Sequence, residues 1–231
     1  MAHEALRCDI CVVRSCAACA ALDDAQRREL AKLGHHRRLK RGETLFAAGD
    51  DNVLTATLTS GVLKVSRFDE DGTEHILSLI HPAGFAGELF APIAHHDVVA
   101  VTDCELCVFP RGDYERALER FPTLGRALLR RSSQDLLDTR TMLAAVTSRT
   151  AMQRVAGFLL AIAQAANDTE SHPAAEFDLV LSRGELASLL GLTIETVSRQ
   201  LTWLEKDGVI ERNGARGIRL TDAVRLKGLA S

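Results

Sequence analysis

The stretch LSRGELASLLGLTIETVSRQLTWLEKDGVIERNGARGIRL, residues 181–220, limits what the chain can fold into more than any other part. Ser182 and Glu185 have the spacing of a capping box, which opens a short helix. Gly191 ends it, because glycine enters the left-handed backbone that stops a helix without steric cost. Ile194, Val197, Leu201 and Leu204 recur at helical spacing. They predict a second helix, from near Thr193 to just before Asp207-Gly208, with those four side chains turned inward. Two helices hinged on a glycine make a helix-turn-helix. VIERNGARGIRL then reads as a two-stranded wing.

The opposite face of the second helix carries Glu195, Ser198, Arg199 and Thr202 at i, i+3, i+4 and i+7. Side chains near the start of such a helix are the ones that meet base edges. Arginine pairs bidentately with guanine, and a carboxylate accepts from cytosine. Arg212, Arg216 and Arg219 of the wing are available for phosphates. A solvated helical hairpin would share the polar face. Basic and acidic residues balance from Arg149 onward, so the nucleic-acid reading rests on placed groups and not on bulk charge. Trp203 reads as packing within the domain, as do Met142 and Met152.

Upstream, residues 40–110 hold short β-rich runs broken by glycine, and DEDGT between two of them is a hairpin signal. Several such strands in series predict a sandwich or jelly roll. The β signal stops at Pro110. RGDYERALERF is then a short helix, and a long one runs from Leu124 to about Thr147. Along it Leu129, Ser132, Leu136, Thr139, Leu143 and Val146 form one seam, polar at Ser132 and Thr139, with Asp135 and Asp138 beside it. A seam of this kind packs on its own domain or on a second copy. SRTAMQRVAGFLLAIAQAAND is a further helix, followed by a polar, proline-containing connection, TESHPAAEFD.

The N-terminus gathers Cys8, Cys11, Cys16 and Cys19, and the only other cysteines are Cys104 and Cys107. The start lacks a basic region followed by an apolar stretch, and no apolar run reaches the ~18 residues of a membrane helix. The expectation is a cytoplasmic protein with no membrane partner, where clustered thiols bind metal or do redox work. Two C-x2-C pairs are zinc-like, although four residues between them is a short gap for one zinc site. Cys104 falls two residues before Leu106 on a β-like run and shares its face, as a buried thiol. His35, His36, His95 and His96 are adjacent pairs that face different ways and read as solvated. No nucleophile–base pair or phosphate-binding glycine loop stands out, so catalysis is not expected.

These motifs together resemble the CRP/FNR superfamily of bacterial transcription regulators, over essentially the whole chain after residue 20. Glu195, Ser198 and Arg199 match the E-x-x-S-R of the recognition helix in its FNR branch. KRGETLFAAGD, SGVLKV and PAGFAGELF resemble its effector domain. The resemblance implies an α+β architecture: a cysteine-rich segment (1–21), a jelly-roll sensor domain (22–122), a dimerisation helix (123–147) and a winged helix-turn-helix domain (148–231). It implies DNA contact by Glu195, Ser198 and Arg199, with Thr193 and Arg216 beside them. It implies a homodimer on double-stranded DNA carrying an inverted repeat, with a TTGAT-like half-site and RNA polymerase as a further partner.

The cyclic-nucleotide branch follows G-E-L with an Arg-Ser pair. Gly87, Glu88 and Leu89 are present, but APIAHHDVVAV lacks that pair, so no cyclic nucleotide is expected. FNR-type regulators instead hold an oxygen-labile [4Fe–4S] cluster on three N-terminal cysteines and one from the jelly roll. CVFP resembles the segment that carries this internal cysteine in the family, which implies Cys107 as the fourth ligand. Cys8, Cys11 and Cys19 match the C-x2-C-x7-C spacing of one branch, with Cys16 as the alternative third ligand. The implied function is oxygen- or redox-responsive control of transcription. Zinc or a thiol switch is the alternative sensor, and an iron–sulfur electron carrier is the alternative class, against which the recognition helix argues.

Overall fold

A computed structural model describes residues 4–165, 176–214 and 216–231. Residues 169–175 of the expected polar connection lie outside the described residues, and 176–178 form a strand. The chain divides into two compact units between Asp138 and Thr139. Among the described residues, no helix is long and apolar enough to cross a membrane.

The first unit contains β1 (Glu4–Ala5), α1 (Asp24–Ala31), β2 (His35–Leu39), β3 (Thr44–Phe46), β4 (Leu54–Ser60), β5 (Leu63–Phe68), β6 (Glu74–Ile80), β7 (Phe85–Ala86), β8 (Asp97–Ala100), β9 (Cys104–Pro110) and α2 (Arg111–Arg120). The long helix α3 (Pro122–Ser148) begins in this unit and ends in the next. The strands form two antiparallel sheets, in the orders β1-β2-β9-β4-β7 and β3-β8-β5-β6. The DEDGT hairpin joins β5 to β6, with Phe68 opposite Glu74.

Strand side chains alternate between faces, and β9 uses both of its faces. Cys104, Leu106 and Val108 enter the core between the sheets, with Leu58, Leu63 and Val98. Cys107 and Phe109 point the other way, into a second core built with Leu22 and Leu30 around α1, Tyr114 of α2, and Leu124 and Leu128 of α3. Further along α3, Leu129, Leu136, Leu137 and Leu143 are 50–67% exposed, and Ser132 and Thr139 are exposed too. Asp135 pairs with Arg131 at 3.1 Å, and Asp138 accepts from Gln134 at 2.9 Å.

The second unit holds α4 (Ala151–Ala165), β10 (Glu176–Asp178), α5 (Arg183–Leu190), α6 (Ile194–Lys206), β11 (Ile210–Asn213), β12 (Gly217–Leu220) and α7 (Ala223–Leu229). The capping box forms as the spacing predicts: Ser182 accepts from the Glu185 backbone, and Glu185 accepts from that of Ser182. Gly191 is left-handed, at φ 61° and ψ 42°. Val197, Leu201 and Leu204 are buried on the inner face of α6. Ile194 is 52% exposed instead, because it is the first residue of the helix, where only the start of α5 near Gly184 covers its side chain. Strands β10, β12 and β11 make one antiparallel sheet that includes the wing.

Candidate functional site

The N-terminal segment folds back on itself through short turns. Arg14 N–H donates to the Cys11 carbonyl at 3.2 Å, Ala17 to Val13 at 2.9 Å, and Leu22 to Cys19 at 3.2 Å. Val13 and Ala17 are the buried anchors of this segment. It lies against β9 and β4, and the result is a recess whose wall contains Cys8, Cys11, Cys19 and Cys107. Leu30, Phe109 and Tyr114 supply apolar lining. Cys8, Cys11 and Cys107 also face a neighbouring cleft of about 240 Å³.

The other two cysteines are elsewhere. Cys16 is exposed, and its Sγ approaches only the Val13 carbonyl, at 3.6 Å. Cys104 is 2% exposed between the sheets, with Sγ donating to the Val62 carbonyl at 3.4 Å.

Crowding and burial act together on the recess thiols. Burial, then the neighbouring Cys11 and Cys8, push the Cys19 thiol up to about 11. Burial, then Cys11, Cys8 and Cys19, push Cys107 up to about 12. Cys8 is raised by burial and then by Cys11. Thiolates, not thiols, bind metal, so a metal group held here would displace the thiol protons. Among the described residues, no three His, Cys, Asp or Glu side chains already stand at metal-site spacing. The four sulfurs share one recess wall. Their number and type fit an iron–sulfur cluster, which uses four cysteine thiolates; among the described residues the recess wall itself holds no carboxylate or histidine, whereas Glu4, His36 and Glu105 line the neighbouring cleft.

One residue of this wall gave no sequence signal. Arg27, in the middle of α1, is only 8% exposed, whereas a charged side chain in a short amphipathic helix is ordinarily solvated.

In the effector-domain segment, Glu88 is satisfied by the two histidines that follow it. His96 Nδ1 lies 3.0 Å from its Oε1, the His95 backbone N–H donates to the same oxygen at 3.1 Å, and His95 Nδ1 meets Oε2. His95 is exposed, as expected, and His96 half-buried; both are held to Glu88 because the loop between β7 and β8 folds back on itself. His36 stands opposite Cys107 in the sheet, with Nε2 3.8 Å from Glu105.

In the second unit, Arg154 Nη1 donates to the carbonyls of Leu190 and Gly191 at 3.2 and 3.3 Å, bracing the turn that aims α6. Thr193 is the N-cap of α6, its Oγ accepting from Thr196 N–H at 3.2 Å. Glu195 and Arg199 are exposed and Ser198 is half-buried, all along one groove. Trp203 lines the same groove at 43% exposure: Leu201 and Leu204 fill the inner face, and the indole lies at its flank, partly covered.

The wing arginines differ from one another. Arg212 is paired with Glu205, and Arg219 with Glu176 at 2.6 Å and Glu211 at 3.1 Å, so neither is held free for a phosphate. Arg216 is exposed near the hairpin tip.

Residues 36–121 match the family model of the cyclic nucleotide-binding domain, and residues 153–229 that of the Crp-like helix-turn-helix domain. The chain is 34% identical over 223 residues to the transcriptional activator protein FnrL of Cereibacter sphaeroides, covering 95% of this chain and 90% of the relative. It is 31% identical over 230 residues to the nitrogen fixation regulation protein FixK of Bradyrhizobium diazoefficiens, covering 97% and 94%. The structure of FixK2 from Bradyrhizobium japonicum superposes with a TM-score of 0.76 at 25% identity, over 86% of this chain and 98% of that one.

Proposed function

Because the chain belongs to the CRP/FNR family of DNA-binding transcription regulators, we propose that it is an oxygen- or redox-responsive member. In this reading Cys8, Cys11, Cys19 and Cys107 hold a [4Fe–4S] cluster, and a homodimer binds an inverted-repeat operator while that cluster is intact. The observation that carries the reading is the single recess lined by three N-terminal thiols and one from β9. Cys19 is preferred to Cys16 as third ligand because Cys16 stands outside the recess.

A bound cluster supplies an oxygen-labile crosslink between distant parts of the chain. The protein's own residues turn that crosslink into a signal. Cys19 and Cys107 pack against the same core as Leu124 and Leu128, the first turns of α3. Tying Cys19 to Cys107 therefore fixes how α3 leaves the unit. The exposed stripe of Leu129, Leu136 and Leu143 is then covered by the same stripe of a second copy. Such a switch works only to the extent that the cluster-bound form pairs better than the free one.

Two α6 helices would enter successive major grooves, with Arg199, Glu195 and Ser198 at base edges and Arg216 at a phosphate. Thr193 acts first as the cap of that helix. Several relatives are named activators, including FnrL, which supports RNA polymerase as a partner in the cytoplasm. Cyclic nucleotides are not the effector in this reading. Glu88 is occupied by His95 and His96, and no arginine lies between residues 88 and 98 to meet a cyclic phosphate. In domain terms, 1–21 bears ligands, 22–122 senses, 123–147 dimerises and 148–231 reads DNA. Iron and acid-labile sulfide are measured after anaerobic purification. About four of each per chain are expected, and one zinc per chain without sulfide contradicts the cluster.

A further inference from the structure

We propose that Arg27 is a positioning residue for the thiolate site: it braces the chain that carries Cys19 and sets a fixed positive charge against the donor set. The proposal rests on the reading of Cys8, Cys11, Cys19 and Cys107 as cluster ligands. Arg27 projects from α1 into the recess wall, with its side chain 9% exposed. Its Nη2 donates to the Leu22 carbonyl at 2.7 Å, its Nε to the Cys19 carbonyl at 3.3 Å, and its Nη1 to Asp24 Oδ1 at 2.7 Å. The same Asp24 oxygen takes Arg14 Nη2 at 2.6 Å. One guanidinium thus ties α1 to the backbone of the third candidate ligand and of the turn that follows it. A rigid fork of five donors does this, and a lysine ammonium, with a single nitrogen, cannot span the three acceptors.

The charge matters as well as the fork. Burying a cation is costly unless it is compensated. Its carboxylate partner, Asp24, is 66% exposed, so that pairing is partly screened by solvent. Arg27 and Arg14 are the only charged side chains in the recess wall among the described residues. Four thiolates would make the loaded site anionic, and these two arginines are its counter-charge. Hydrogen bonds, net charge and solvent exposure around a cluster set its reduction potential, and residues behind the ligands tune how firmly metal is kept.

The test compares full-length wild type, R27K and R27Q, each loaded anaerobically with ferrous iron and sulfide. Thermal unfolding of the metal-free proteins controls for folding. The readouts are reduction potential, cluster lifetime against a chelator, and the rate at which iodoacetamide alkylates Cys19 in metal-free protein. R27Q is expected to shift the potential to more negative values and to weaken retention roughly 10- to 100-fold. R27K is expected to keep the wild-type potential, because the charge remains, yet to speed alkylation of Cys19, because the fork that braces it is lost. A wild type that loads normally, alongside R27Q with unchanged potential and retention, overturns the role of Arg27 and leaves the cluster reading standing. A wild type that takes up no iron and sulfide overturns both. Should R27Q fail to fold, R27K decides alone: protection of Cys19 equal to wild type overturns the proposal.

Discussion

Cys104 and Cys107 stand on opposite faces of one strand, three residues apart. Cys104 is sealed between two sheets, and Cys107 looks into the recess with the N-terminal thiols. Cys107→Ser is therefore expected to abolish iron and sulfide retention. Cys104→Ser should retain both, at a stability cost of about 1 kcal/mol, typical of a single substitution, since a hydroxyl can still donate to the Val62 carbonyl. Metal analysis of the two variants, purified without air, checks this. The reverse pattern would assign the wrong internal thiol.

Arg199 occupies the exposed face of α6, where a base-reading side chain belongs. Arg199→Ala is expected to cost ~1–3 kcal/mol on the preferred operator and to relax base preference at one position. Equal loss on every sequence would make it a phosphate contact. Binding can be followed through Trp203, the chain's single tryptophan, which is 43% exposed in the same groove.

The leucine stripe on α3 gives a separate test. Leu136 is 50% exposed, and a second copy would cover it. Leu136→Glu is expected to weaken dimerisation by about 1.5–3 kcal/mol for each leucine no longer buried, seen by sedimentation equilibrium, and to weaken operator binding with it. A dimer of unchanged affinity would place the interface elsewhere.

Glu88 gives a pH dependence. Burial pushes its carboxyl up, but hydrogen bonds from His95 and His96 outweigh that and hold it below the ordinary value of 4.5. A group depressed on folding contributes stability that is present above its unfolded value and is lost as pH falls through the folded one. Acid unfolding of the first unit should therefore steepen below about pH 4.5, and Glu88→Gln should flatten that limb. A variant with an unchanged acid limb would show that the two histidines do not favour the charged form.

Much of the architecture was legible because it depends on local pattern. The capping box at Ser182 and Glu185, the glycine turn at Gly191 and the hairpin at Asp69–Thr73 are each set by a few neighbouring residues. The opposed faces of Cys104 and Cys107 follow from the two-residue period of a strand. What stayed hidden depends on pairing across long separations. Nothing local places β9 between β2 and β4, and that placement turns the Cys107 face toward the N-terminus. Arg27 has the sequence context of a solvated helix residue and is buried only because the cysteine segment folds over it. Helical spacing put Ile194 inside and left Trp203 as packing. The first sits at a helix end, where the face is only partly covered, and the second at the flank of a stripe already filled by Leu201 and Leu204.

The most direct test of the account is operator affinity measured anaerobically on one preparation, before and after exposure to air, with the visible spectrum recorded alongside. The account predicts an iron–sulfur absorption that bleaches in air while binding to the inverted repeat weakens in step. A colourless protein without iron, binding the operator equally well before and after air, would contradict it.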